Sequence, residues 1–563
     1  VVAVAVIAVV VSGIVSVAAN RVAATLADPT WSTTSSPTGT LSYGGSATYS
    51  WFGSAVAMSA DGTTAVVGSY GVGTPAGKAF VYHVSNERSW AKPTLVAVLT
   101  KAGGSSGDRM GGSVAMSRDG TTVIIGAEGV KSFTGAAYVF HVASEGSWAN
   151  SSSPTATLAY SGGVSDDDFG ISVCMSGDGS TAIIGADGYL GPHGGAFVFH
   201  VAGEGSWASS SVPTAILGYS STPNNGLLGS SAAISSDGTT AVIGAQNIDY
   251  GAGAAFVYHV ASEGSWVTTS SPTAALTSSG GASDDVLGMS AAMSSDGSTV
   301  VLGAEGVSSY TGAAYVFHAS NDASWSSTST PTAILTNAAG ASGDRFGWSV
   351  ALSSDGALAL IGASGVGSGA GAGYVYTASG AGSWGTTSAP SAVLTTAGGA
   401  SGDAFGTTAT LSADASTALI GAVGVNTFRG AAYVFHVVAT TPAITNLPTN
   451  AKVGSSFTAS VSTTGDGTKS VTSNSASVCT ASGLVVTFVA KGTCSLTAHV
   501  AIGTNYGAAN GSAQTFVIRL NPTTPAITNL PTNAKVGSSF TASVSTTGDG
   551  TKSVTSNSAS VCT

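Results

Sequence analysis

Carboxylates recur at set places along this 563-residue chain. Asp108, Asp166, Asp167, Asp168, Asp284, Asp285, Asp344 and Asp403 stand just before a large apolar residue that is followed by Gly. Glu128, Asp187, Asp249 and Glu305 come shortly after a Gly-Ala pair. Carboxylates gathered on one face would hold a cation, a basic protein or a cation-bridged glycan. The competing reading is a set of solvated turns, because Asp tolerates turn geometry, and this reading leads. Catalysis would need more. The chain has no G-x-S-x-G elbow, no H-E-x-x-H pair and no phosphate-binding loop. Two carboxylates could serve a glycosidase, but nothing singles out a pair. The expectation is a non-enzymatic protein with no catalytic residue, no metal ligand and no cofactor.

These residues sit at fixed places in a 59-residue unit that recurs seven times. One marker is Phe52-Gly53, Met110-Gly111, Phe169-Gly170, Leu228-Gly229, Leu287-Gly288, Phe346-Gly347 and Phe405-Gly406. A second is Trp31, Trp90, Trp148, Trp207, Trp266, Trp325 and Trp384. A period of this size means units that bury their faces only against their neighbours. Within the fifth unit a small-residue strand leads to Asp296-Gly297 and then to a β-branched run ending in Gly-Ala. Asp-Gly between two apolar runs predicts a hairpin whose two central residues take φ > 0. The seventh unit has Asp414-Ala415 there instead. A third strand, 312–318, and a fourth, 331–335, complete the unit. Four short strands repeated seven times predict an all-β fold, a seven-bladed β-propeller. The seventh unit lacks a Trp and a fourth strand, whereas Trp31 and residues 37–41 supply both at the N-terminus. Threading that strand into the last blade would close the ring and remove its open edges.

His83, His141, His200, His259, His318 and His436 recur on the same beat, with Thr377 in the sixth unit. Equivalent positions spread around a ring cannot converge on one ion, so packing near the following Trp is expected rather than metal binding or proton transfer. His193 stands alone in a variable loop. Cys174 replaces an Ala of neighbouring units and reads as a small core residue. Cys479 and Cys494, 15 apart, are candidates for a disulfide. Tyr70, Phe133, Tyr189, Tyr250, Tyr310 and Phe428 are candidate recognition anchors in variable loops.

A net charge of −11 with few lysines argues against nucleic acid and against anionic membrane surfaces. Residues 1–27 begin with an uncharged apolar run and read as a secretory signal or an N-terminal membrane anchor, the start of which lies further upstream. Export to the cell surface or the medium is therefore expected.

Ser342-Gly-Asp-Arg-Phe-Gly-Trp-Ser-Val-Ala351, Ile361-Gly-Ala363 and Gly430-Ala-Ala-Tyr-Val-Phe435 resemble the bacterial FG-GAP repeats of integrin-α-type propellers, over residues 28–437. The resemblance implies adhesion or ligand recognition, with the loops before the first strand and after the second on one ligand face. It also implies calcium loops, but here each is shortened to one carboxylate, as in Ser117-Arg-Asp-Gly-Thr-Thr-Val123, so calcium remains possible while its usual sites are not expected. Residues 438–520 resemble a bacterial Ig-like β-sandwich domain. Residues 524–563 repeat 441–480 without a change, so 521–563 read as a truncated second copy. The whole suggests a propeller carried on an Ig-like stalk, with an extracellular protein or glycan as partner. The alternatives are an extracellular polysaccharide lyase or hydrolase and a purely architectural wall or matrix protein.

Overall fold

The computed structural model describes residues 31–563 except 45–47, 72–76, 192, 221–225, 438–441, 464, 466, 502–508, 522, 548–549 and 563. The N-terminal segment expected to be a signal or anchor lies outside the described residues.

Each unit forms a four-stranded antiparallel sheet, and there are seven such sheets. Blade 1 consists of Phe52–Met58, Thr64–Ser69, Lys78–His83 and Thr94–Leu99. The second strand of every blade is buried on both faces, which is why it reads as an unbroken β-branched run rather than an alternation. The predicted closure is present. Gly39–Leu41 pairs with Ala431–His436 as the outermost strand of blade 7, Leu41 facing Ala432. Gly is required at 39, because a Cβ there would meet the Trp90 carbonyl oxygen at 2.0 Å.

Three rings of contacts run through all seven blades. Frame tryptophans donate Nε1 to the hairpin carbonyl of a blade, Trp207 to Gly179 at 2.8 Å and Trp31 to Ala415 at 3.0 Å. Inner-strand hydroxyls donate to the next blade's Gly carbonyl, from Ser113 to Gly170 at 2.8 Å through to Thr408 back to Gly53 at 2.9 Å. Around the far end of the axis, the backbone N–H groups of Ala60, Arg118, Gly177, Ser236, Ser295, Ser354 and Ala413 each bond the next residue's carbonyl, Ala413 returning to Ala60.

The hairpin turn differs from the expectation. Gly62 takes φ +69, but Asp61 does not enter the left-handed region. Residues 60–63 form a four-residue connection in which Gly62 N–H bonds Ser59 O at 3.0 Å. The Asp61 carboxylate accepts from the Ser59 hydroxyl at 2.7 Å and from Thr63 N–H at 3.0 Å. A connection this long turns without two left-handed residues. In blade 7, Ala415 adopts φ +55 where the other units have Gly.

Residues 443–519 form further sheets with their own core, including Val471, Val486, Phe488, Leu496, Phe516 and Ile518. Ala451–Lys452 runs parallel to Gln514–Arg519, the other pairings being antiparallel. Cys479 and Cys494 are joined as a disulfide. In the repeated segment, the strands formed are Ala526–Ile527 and Val544–Ser545, and Leu530, Val536, Phe540 and Cys562 are exposed.

Candidate functional site

The residue before each Phe-Gly-type marker is where the chain enters the inner strand, and in all seven units it is left-handed. Trp51, Arg109, Asp168, Leu227, Val286, Arg345 and Ala404 have φ between 54 and 58. The preceding blade holds several of them in place through a backbone bond, as from Arg345 N–H to Tyr310 O and from Trp51 N–H to Phe428 O, at 2.8 and 2.9 Å. The loops providing those carbonyls are themselves left-handed turns, with φ of 49, 58 and 64 at Lys131, Ser132 and Phe133. Such backbone costs about 1–2 kcal/mol per non-Gly residue. It is tolerated because each turn docks on the next blade.

This geometry aims two further sets of variable side chains at the axis. One follows the second strand and comprises Tyr70, Glu128, Asp187, Gln246, Glu305, Ser364 and Val423. The other begins the first strand and comprises Ser54, Gly112, Ile171, Ser230, Met289, Trp348 and Thr407. Members of these sets line the mouth of a central cavity of about 760 Å³, whose wall takes residues from the inner strands of all seven blades. Deeper down, the wall carries Val56, Val114, Val173 and Val350. At the far end Arg118 of blade 2 spans the axis, its Nη1 lying 2.8 Å from Ser295 Oγ and 3.3 Å from Ser354 Oγ.

The carboxylates predicted to form one ligand face separate into two groups. Asp108, Asp167, Asp285, Asp344 and Asp403 each use Oδ2 to accept a backbone N–H three residues earlier, at 2.8 Å. Asp166 and Asp284, with φ of 66 and 68, take the left-handed place that Gly107, Gly343 and Gly402 occupy in other units. Asp249 is exposed on a left-handed turn. These eight build loops. Of the other four, Asp187 lines the cavity, Glu128 and Glu305 hold the equivalent place after the second strand of their blades, and Asp168 is one of the left-handed residues. Glu128 is buried 3.5 Å from Arg109 Nη1, and Glu305 lies 3.9 Å from Arg345 Nε. Burial raises the pKa of all four, and Asp187, further repelled by Asp168, is pushed up to about 6. Among the described residues no three or more His, Cys, Asp or Glu groups are placed to hold a metal ion.

Sequence reasoning missed the mouth residues Gln246 and Arg345 and both mouth tryptophans. Trp51 stacks on Tyr70 with centroids 5.5 Å apart and packs on Phe428 at 5.0 Å. Trp348 lies under the Arg345 guanidinium at 5.0 Å. The signal was available, since of nine tryptophans these two alone fall off the 59-residue beat. Of the loop aromatics anticipated, Phe133 and Tyr310 carry Arg109 and Arg345, at 4.8 and 5.7 Å. Tyr189 packs inward on Phe197, and Tyr250 is 90% exposed.

Residues 93–140 and 330–376 match the family model for the FG-GAP repeat. The chain carries FG-GAP repeats. Each match runs from the last strand of one blade through the third strand of the next, so the FG-GAP repeat is offset from the blade by one strand. That offset is what leaves the N-terminal strand to complete blade 7. No curated protein matches the chain.

Each recurring histidine of the propeller has a threonine hydroxyl as its hydrogen-bond partner, and in several blades that hydroxyl reaches on to a carboxylate of the next blade. Thr64 Oγ1 donates to Glu145 Oε2 of the next blade at 2.7 Å and lies 2.9 Å from His83 Nδ1. A hydroxyl has one proton, so His83 must be the donor through Nδ1–H. Thr122 repeats the arrangement with His141 and Glu204, and Thr417 does so with His436 and Glu87 across the closure. Cys174 is buried in the core, which pushes its thiol up to about 12 and leaves it inert.

Proposed function

We propose that this chain is an exported, non-enzymatic recognition protein that engages an extracellular protein or glycan through the channel mouth, with Ig-like C-terminal modules as its stalk. FG-GAP repeats suggest an integrin-like propeller, a fold compatible with ligand recognition. One observation carries the reading further. Seven near-copies of one unit keep the same inter-blade bonds yet differ in the residues that line a single cavity. Indole, phenol, carboxylate, amide and guanidinium groups converge there on rigid strand ends, as a binding site requires.

The test is to screen the full chain on arrays of glycans and matrix proteins, in calcium and again in EDTA, beside a Trp348→Ala variant. Binding that the substitution abolishes supports the mouth. A chain that binds nothing on either array, or whose binding ignores the substitution, sinks this reading.

A further inference from the structure

We propose that the mouth takes a neutral saccharide, its ring stacked on Trp348 and Trp51 and its hydroxyls bonded by Asp187, Gln246 and Arg345. The proposal rests on the recognition reading above and names the class of ligand.

The tryptophans provide the first argument. Seven of the nine are committed to the frame, each donating Nε1 to a hairpin carbonyl. The remaining two come from blades 1 and 6, distant in sequence, and line the same cavity half-buried. An indole face offers a broad, stiff apolar platform with little rotamer entropy to lose. The C–H face of a sugar ring fits such a platform and leaves the hydroxyls free at the ring edge.

The polar groups provide the second. Asp187, Gln246 and Arg345 line that cavity too, and each presents a planar head able to make two hydrogen bonds at once. Planar two-point partners suit the adjacent hydroxyls of a sugar. Charge then narrows the class. Arg345 is already matched by Glu305 at 3.9 Å, so an acidic sugar gains no free cation there. Such a sugar would also bring its carboxylate against Asp187. Below the mouth the inner-strand hydroxyls are engaged with carbonyls, as Ser349 with Gly406 at 2.9 Å, and the valine wall is apolar. The polar contacts are therefore concentrated where a terminal sugar residue would enter.

The experiment titrates the full chain with neutral oligosaccharides built on glucose, galactose, mannose or N-acetylglucosamine, read by calorimetry and by tryptophan fluorescence. At least one series should bind and shift the emission. Trp348→Ala should weaken it by at least about tenfold, the loss typical of a buried aromatic anchor, with melting unchanged. Trp51→Ala should weaken it too while lowering the melting temperature, because Trp51 also packs on Tyr70 and Phe428. Asp187→Asn should weaken it less, since an amide keeps one acceptor. Failure of every neutral oligosaccharide to bind at millimolar concentration overturns the proposal. If a matrix protein binds instead and Trp348→Ala abolishes it, the saccharide assignment falls while the recognition reading stands. Saccharide binding indifferent to both tryptophan substitutions overturns the assignment to the mouth.

Discussion

Trp207 and Trp348 belong to the same propeller and are employed in opposite ways. Trp207 is 5% exposed, donates to Gly179, and has a counterpart in every unit. Trp348 is half-buried at the cavity mouth, and its counterparts are Ser54, Gly112, Ile171, Ser230, Met289 and Thr407. The frame repeats because each inter-blade contact must be satisfied identically for the ring to close. The mouth is released from that constraint, since its side chains line an open cavity and those that touch a neighbouring blade, as Trp51 touches Phe428, do so without repeating around the ring. Variation between units thus marks where packing does not dictate the residue.

The strongest challenge to this contrast is to remove both indoles separately. Trp207→Ala should cost about 3–5 kcal/mol in a denaturant melt, from lost burial and a cavity. Trp348→Ala should stay within about 1 kcal/mol, since it vacates solvent-accessible space. Equal losses would abolish the distinction between frame and mouth.

A smaller effect is expected at the inter-blade bonds. Thr122→Val leaves His141 and Glu204 without their shared hydroxyl, so about 1–3 kcal/mol should be lost. Glu204 keeps the Thr121 hydroxyl at 2.8 Å, so Glu204→Gln should recover only a small part of that loss in the double variant. A neutral Thr122→Val melt would show that the network does not contribute to the frame.

Smaller still is the effect at the imperfect seventh hairpin. Ala415→Gly relieves a left-handed alanine and should stabilise the ring by about 1 kcal/mol. Gly179→Ala, at the matching place in blade 3, should do the reverse and more, as its Cβ would lie 2.6 Å from Glu204 Oε2. Calorimetric melting temperatures moving in the same direction would contradict the equivalence of the two positions.

The pH dependence sharpens the comparison without large energies. His436, in the frame, is held down to about 4 from 6.5 by burial. Its contribution is present above pH 6.5 and is lost as pH falls towards 4. Asp187, at the mouth, is raised from 3.8 to about 6. Its contribution is complete below 3.8 and is lost as pH rises through 6. Over the same window, Asp187→Asn should make the chain more acid-sensitive and His436→Gln should make it less so. Urea melts at pH 4.5 and 7 would reveal either sign being wrong.

Much of this was legible from residue type and spacing. The 59-residue beat placed the strands, the frame tryptophans and the N-terminal strand that completes blade 7. The acidic positions were legible as a set but not by role. Asp167 and Asp168 are adjacent and chemically identical, yet one bonds Val164 N–H while the other belongs to the ring of left-handed mouth residues. Only the path of the backbone separates them. The hairpin type was misread for a related reason, as Asp-Gly suits both a two-residue and a four-residue connection.

Residues 441–480 and 524–563 show where sequence stops being sufficient, because they are identical. What is local recurs in both. Asn446 bonds Ser460 N–H at 2.7 Å and Asn529 bonds Ser543 N–H at 2.6 Å, and the same two-residue strands pair beside them. What is long-range does not recur. Cys479 is fully buried and bonded to Cys494, whereas Cys562 is exposed, and Ala451 is buried whereas Ala534 is not. In the first copy the strands Val485–Phe488, Gly492–Val500 and Gln514–Arg519 cover the apolar face. Turns and hairpins follow from nearby residues, because their hydrogen bonds close over a few positions. Burial, the disulfide and the convergence of Trp51, Asp187 and Trp348 on one cavity need distant strands to arrive, and that was decided by the tertiary structure alone.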